Sequence, residues 1–171
     1  DFYDFFLVDD DHLALVIADV SGKGVPAAMF MMNAKSVIKN LAKSGMTVDE
    51  LFTTANNMLC ENNEAGMFVT AWMGILDLQN ATISFANAGH NPPLVKHKDG
   101  SYEYLKTKAG LVLAGMEGVN YKKGEFAFEK GDEIFLYTAG VTEATNEQTE
   151  LFGEERLINV LNSADCLTAE K

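Results

Sequence analysis

Residues 13–29, Leu-Ala-Leu-Val-Ile-Ala-Asp-Val-Ser-Gly-Lys-Gly-Val-Pro-Ala-Ala-Met, constrain this chain more than any other stretch. They open as an apolar, strand-like run and close as a helix. Asp19 sits where the strand ends, and a carboxylate at the end of a buried strand must find a cation or hydrogen-bond donors. Gly22 and Gly24 then let the backbone turn tightly and expose its peptide groups. Pro26 suits the first turn of a helix, where its missing N–H would have been unpaired anyway. The stretch therefore reads in two ways: as a functional site built on a β–turn–α corner, or as a plain junction whose Asp19 only caps the turn.

The flanking sequence supplies the rest of a layered fold. Residues 4–8 and 13–19 surround Asp9-Asp10-Asp11-His12, which predicts a β-hairpin with a solvated acidic turn rather than a metal cluster. Ala27, Phe30, Met31, Ala34, Ile38 and Leu41 recur at helical spacing, predicting a first helix over 26–44 that Gly45 stops. Met29, Met31 and Met32 are expected as adaptable core filler. Thr47 and Glu50 form a capping box, and Met46 can staple onto Leu51, so a second helix starts there. Its apolar stripe is Val48, Leu51, Phe52, Ala55, Met58 and Leu59.

After Gly66 the period falls to two. Strands are predicted over 67–78, 82–88, 94–98, 102–105, 121–128 and 133–138, and a last helix near Gly153 that uses Leu157, Ile158 and Leu161. Strands, two helices, many strands and one helix give an α+β class with antiparallel sheets and helices outside them.

Charge bears on partners. The formal net charge is −12, which argues against nucleic acid and makes an anionic substrate hard to approach unless metal ions reverse the local field. Cys60 and Cys166 lie far apart without metal-type spacing, which predicts a reduced, cytoplasmic setting. No apolar run of membrane-spanning length occurs, so no membrane insertion is expected of this segment. At 171 residues a single domain is expected, read as a piece of something longer.

Three glycine-bearing strand ends can carry chemistry: Asp19 to Gly24, Asn87-Ala-Gly-His-Asn-Pro-Pro93, and Tyr137-Thr-Ala-Gly-Val-Thr-Glu-Ala144. If they converge on one rim, acidic residues there suit hard cations such as Mg²⁺ or Mn²⁺. His90 can act as base or ligand, although a histidine in Gly-His-Asn-Pro is more often a hydrogen-bonded turn residue. No serine or cysteine has an obvious base beside it, so covalent catalysis has no support.

Together with Asp1-Phe-Tyr-Asp4, Pro26-Ala-Ala-Met29, Gly131-Asp132 and Phe152-Gly153, these motifs resemble the bacterial metal-dependent protein serine/threonine phosphatases. The similarity is to the protein phosphatase 2C-like superfamily, in its stage II sporulation protein E-like branch, which also contains the sigma-factor-regulating phosphatases. It covers nearly the whole chain, with the motifs in order. The resemblance implies a four-layer αββα sandwich of two antiparallel sheets flanked by helices, with two Mn²⁺ or Mg²⁺ ions at one end. Asp19 would bridge both metals, Asp1 would be a second ligand, and the backbone carbonyl of Val20 a third. The implied reaction is hydrolysis of phosphoserine or phosphothreonine by a metal-bound water, on a partner such as an anti-anti-sigma factor. Ser21, Gly22, Lys23, His90 and Gly140 would lie near the substrate, with Gly140 allowing a sharp exit from its strand. The family also implies an upstream sensor or receiver domain and a homodimer.

Three departures from the family pattern stand out. Where the family reads Thr-Asp-Gly, with that Asp a metal ligand, this chain has Ala139, whose methyl group cannot coordinate metal. The family's closing Asp-Asp-x-Thr segment, which supplies another ligand, is not present up to Lys171. Ser21 stands where the wider superfamily carries a histidine. The first two weaken the second metal site, so the alternative expectation is a pseudophosphatase that binds a phosphoprotein without turning it over.

Overall fold

The computed structural model describes residues 1–61, 63–98 and 100–163, so Cys166 lies outside the described residues. The chain divides into two compact units, 1–90 with 107–128, and 91–106 with 129 onward.

The first unit is built on a five-stranded antiparallel sheet, in the order β1 (Phe2–Leu7), β2 (His12–Val20), β3 (Val69–Asp77), β4 (Thr82–Ala88) and β7 (Gly124–Ala127). The hairpin forms as its pattern predicts. Asp9 accepts the Asp11 N–H at 2.9 Å and contacts the His12 ring at 2.8 Å, so the acidic turn is held by its own members. The period-two pattern decides the faces. Val16, Ala18 and Val20 of β2, with Val69, Ala71 and Met73 of β3 and Ala86 and Ala88 of β4, join one buried cluster.

Two helices cover that face. α1 (Val25–Lys43) begins after Gly24, whose φ of 79° the absent Cβ permits, with Pro26 in its first turn. α2 (Val48–Cys60) begins at Thr47, whose N–H and hydroxyl both donate to the Glu50 carboxylate, at 3.3 and 2.9 Å. Ala34, Ile38, Leu51, Phe52 and Ala55 are buried in the cluster, and Phe30, Met31 and Leu41 pack against it. Two expectations fail here. Met29 and Met32 are each 67% exposed and Met58 is 45% exposed, so these methionines are surface residues rather than core filler. The apolar faces of α1 and α2 are narrower than hydropathy alone suggests.

The second unit has a three-stranded antiparallel sheet, β6 (Tyr102–Tyr104), β5 (Leu94–Lys96) and β8 (Glu133–Phe135). α4 (Gly153–Ser163) packs on it through Leu157 and Leu161, which cluster with Leu94, Tyr102 and Tyr137. Asn162 fixes the contact, accepting the Tyr102 N–H at 2.7 Å and donating to its carbonyl at 3.2 Å. The strands predicted over 94–98 and 133–138 shorten to three residues each. A four-residue helix, α3 (Ala139–Thr142), follows β8 where only a turn was expected. The class is α+β with two antiparallel sheets, as predicted.

Candidate functional site

β2 and β4 run the same way on either side of β3, so their C-terminal ends share one edge of the first sheet with the start of β3. Along that edge the register sets up a row. Asp19 pairs directly with Thr70 across β2 and β3. One step beyond the Phe2–Ala18 pair, the chain brings Asp1 alongside Asp19 from β1. Directly paired residues in an antiparallel ladder project to one face, so Asp19 and Thr70 are side-chain neighbours. Both lie on the face away from the helix-covered cluster, since Ala18, Val20, Val69 and Ala71 occupy the other.

A pocket of about 290 Å³ opens at this rim. Asp1, Asp19, Val20, Gly22, Lys23 and Gly24 line it, together with Ala27, Ala28 and Met31 from the start of α1. Five of the positions singled out by sequence, Asp1, Asp19, Val20, Gly22 and Lys23, thus share one cavity. β1, which carries Asp1, is tied to α1 below the rim. Asp4 meets Lys39 at 3.1 Å and Lys35 at 3.7 Å. Burial raises the Asp4 carboxyl pKa, but the hydrogen bond from Lys39 and the two lysine charges outweigh it and hold the value below the ordinary range.

The remaining predicted residues are placed differently. Ser21 fastens the turn to β3: its N–H donates to the Phe68 carbonyl and its hydroxyl accepts the Phe68 N–H, both at 2.9 Å. That explains why a serine is structurally sufficient there. Lys23 is exposed. His90 is 4% exposed, and its Nδ1 lies 2.8 Å from the Thr70 hydroxyl. Ala139 and Gly140 belong to the second unit, where they open α3 behind Thr138. Gly140 has no positive φ. The exit from its strand is made by a helical turn, so the expected glycine-dependent bend is not how the chain leaves β8.

Asp1, Asp19 and the peptide oxygen of Val20 are all oxygen donors, the type that Mg²⁺ and Mn²⁺ prefer. They could hold one hard cation with positions left for water. Among the described residues no group of three or more His, Cys, Asp or Glu side chains is arranged around a metal position. The one residue in this neighbourhood that sequence reasoning missed is Thr70. Its signal was present in the period-two pattern, but only the register shows that it faces Asp19.

The family described as Stage II sporulation protein E (SpoIIE) matches residues 9–171. The chain is 34% identical over 146 residues to the phosphoserine phosphatase RsbU of Bacillus subtilis, covering 85% of this chain and 43% of that protein. The structure of the RsbU and RsbW domains of Rv1364c from Mycobacterium tuberculosis superposes with a TM-score of 0.76 at 27% identity, over 85% of this chain and 41% of the other. The PP2C phosphatase domain of SpoIIE from Bacillus subtilis, solved with a fragment of its regulatory domain, gives 0.78 at 17% identity over 96% and 47%. The chain therefore spans less than half the length of each of these relatives.

Proposed function

The chain belongs to the stage II sporulation protein E family of PP2C-type phosphatases, and from that premise we propose that it is the phosphatase domain of a longer signalling protein. Its substrate would be phosphoserine or phosphothreonine on a regulatory protein such as an anti-anti-sigma factor, in keeping with its likeness to RsbU. The longer protein would be cytoplasmic, carry a sensor or receiver domain upstream and act as a homodimer. Among the described residues no helix is long and apolar enough to cross a membrane.

The observation that carries this reading is the shared pocket of Asp1 and Asp19 at the end of β2. PP2C-type phosphatases are metal-dependent. Asp1, Asp19 and the Val20 carbonyl would hold Mn²⁺ or Mg²⁺, which when bound supplies positive charge to phosphate oxygens and acidifies water. Lys23 adds a cation at the mouth, where a phosphate must approach a chain of net charge −12. The start of α1 adds the positive end of its dipole. Gly22 and Gly24 themselves add no side chain to the approach.

The test is a Mn²⁺ titration of the parent and of Asp19→Asn, with phosphate release from a phosphoserine-bearing anti-anti-sigma protein followed in parallel. Asp19→Asn should lose most of the binding, and a chelator should stop any release. Unchanged Mn²⁺ binding in Asp19→Asn would defeat the assignment. A second reading, a phosphoprotein-binding module without turnover, is favoured by Ala139 alone, since a methyl group stands where the family motif carries a carboxylate. It predicts tight capture of the phosphorylated protein and no release by the parent.

A further inference from the structure

The motif Asn87-Ala-Gly-His90 is more elaborate than a strand end requires. The Asn87 side chain grips the backbone of His90 twice: its Oδ1 accepts the His90 N–H at 2.8 Å and its Nδ2 donates to the His90 carbonyl at 3.0 Å. Gly89 has a φ of +70°, and a Cβ there would come within 2.9 Å of Val112. A side chain at 89 is excluded both by backbone conformation and by space. The Gly110 N–H donates to the Asn87 carbonyl at 2.8 Å and closes the support from the other side. All of this fixes the backbone from which a buried imidazole projects. That imidazole is directed at Thr70, with Nδ1 at 2.8 Å from the hydroxyl. Thr70 in turn is the direct ladder partner of Asp19.

A threonine hydroxyl carries one proton and two acceptor sites. When His90 donates from Nδ1, the threonine proton is left for another acceptor, and the nearest carboxylate across the ladder is Asp19, with Cβ atoms of such pairs about 5 Å apart. We propose that His90 and Thr70 are a positioning pair for Asp19: the Nδ1–H of His90 donates to Thr70, and the Thr70 hydroxyl donates to the Asp19 carboxylate, fixing which oxygen is presented to the pocket. The proposal rests on the reading of Asp19 as a metal ligand. A ligating carboxylate that is free to rotate loses affinity, and outer partners that orient ligands are typically worth about 10–100-fold.

The experiment compares Mn²⁺ affinity, read from the electron paramagnetic resonance signal of the free ion, in the parent, Thr70→Val, Thr70→Ser, His90→Leu, His90→Asn and Asp19→Asn. Thr70→Val and His90→Leu should each weaken binding about tenfold or more. The double variant should be no weaker than the single ones, because the pair acts as one unit. Thr70→Ser keeps the hydroxyl and His90→Asn keeps a donor at the Nδ1 position, so both should bind nearly as the parent does. Nitrogen-15 spectra of the metal-free parent should show the His90 proton on Nδ1. Metal-free melting midpoints identify any variant that fails to fold, in which case the Thr70→Val and Thr70→Ser pair decides. Parent-like affinity in Thr70→Val, with Asp19→Asn having lost binding, overturns the positioning pair, as does a proton found on Nε2. Parent-like affinity in Asp19→Asn instead overturns the reading of Asp19 beneath it.

Discussion

Asn56 offers the sharpest test of how the rim is supported. It is fully buried in α2, among residues that are otherwise apolar. Its Nδ2 donates to the Met116 carbonyl at 2.9 Å, and its Oδ1 accepts the Ala114 N–H at 2.9 Å. The loop so held reaches the candidate site, because Leu113 pairs with Val69 through bonds of 2.8 and 3.0 Å, one residue before Thr70. Asn56→Leu keeps the volume roughly constant, leaves the buried Ala114 N–H without this partner, and removes the bond to the carbonyl of the exposed Met116. The buried orphan costs roughly 1–3 kcal/mol and the lost bond to Met116 roughly 0.5–1.5 kcal/mol. The added apolar burial returns roughly 1 kcal/mol, so a net loss of about 1–3 kcal/mol is expected. For a domain of this size each kcal/mol moves the melting midpoint by about 2–4 °C, giving a fall on the order of 5 °C. Thermal melts followed by circular dichroism measure it, with the exposed Met58→Leu on the same helix as the control, expected within about 0.5 kcal/mol of the parent. An Asn56→Leu midpoint equal to or above the parent's would refute the idea that this amide ties the loop to α2.

Phe30 packs against the core from α1 while remaining partly accessible, so Phe30→Ala should cost about 2–3 kcal/mol, somewhat below the range for a fully buried ring, read from urea midpoints. His12 has its pKa raised above 6.5, chiefly by its hydrogen bond to Asp9, with the Asp9 and Asp77 charges adding to it against a smaller desolvation effect. A raised value means that the folded chain binds this proton more tightly. The stabilisation is therefore complete below 6.5 and is lost as pH rises through the raised value; the parent should weaken over that window while His12→Gln stays flat in the same denaturation series. Lys23→Ala should lower phosphate release at low ionic strength and match the parent at high salt, since an exposed charge acts through screened attraction; equal rates at both would make Lys23 a solvated turn residue. Ala139→Asp, in a chain extended by a closing segment that carries the family's Asp-Asp-x-Thr ligand, should raise Mn²⁺-dependent release by orders of magnitude, and a parent already as fast as that variant would show that position 139 is not a ligand position.

What could be read from the sequence follows the strength of local signals. α1 and α2 were legible because each has both a periodic stripe and a start signal, Gly24-Val25-Pro26 in one and Thr47 with Glu50 in the other. The hairpin was legible because six ladder pairs flank a turn that binds itself. Hydropathy failed where it could not see geometry. Met29, Met32 and Met58 are apolar but fall outside the faces that meet the sheet. Asn56 is polar but fills a position where two peptide groups need a partner. The strands over 94–98 and 133–138 were overdrawn because β5 pairs with both of its neighbours through Leu94–Lys96 alone. At the candidate site, the acids and the glycine turn were visible one by one. The contact of His90 with Thr70 was not, because the two are 20 residues apart, nor was the place of Thr70 opposite Asp19, which only the register shows.

Position 139 separates the folding signal from the chemical one. α3 is held by the Glu143 N–H donating to the Ala139 carbonyl at 2.8 Å, by the Thr142 hydroxyl donating to the same carbonyl at 3.3 Å, and by the Val141 N–H donating to the Thr138 carbonyl at 3.1 Å. None of these bonds uses the side chain at 139. The first position of a helix also accepts an acid readily. Alanine there gains nothing for the fold that aspartate would not supply, and Ala139→Asp should therefore fold at least as well as the parent. Any difference between the two in metal affinity or phosphate release is then chemical in origin. A choice between an enzyme and a binding module made at this residue can be made without disturbing α3.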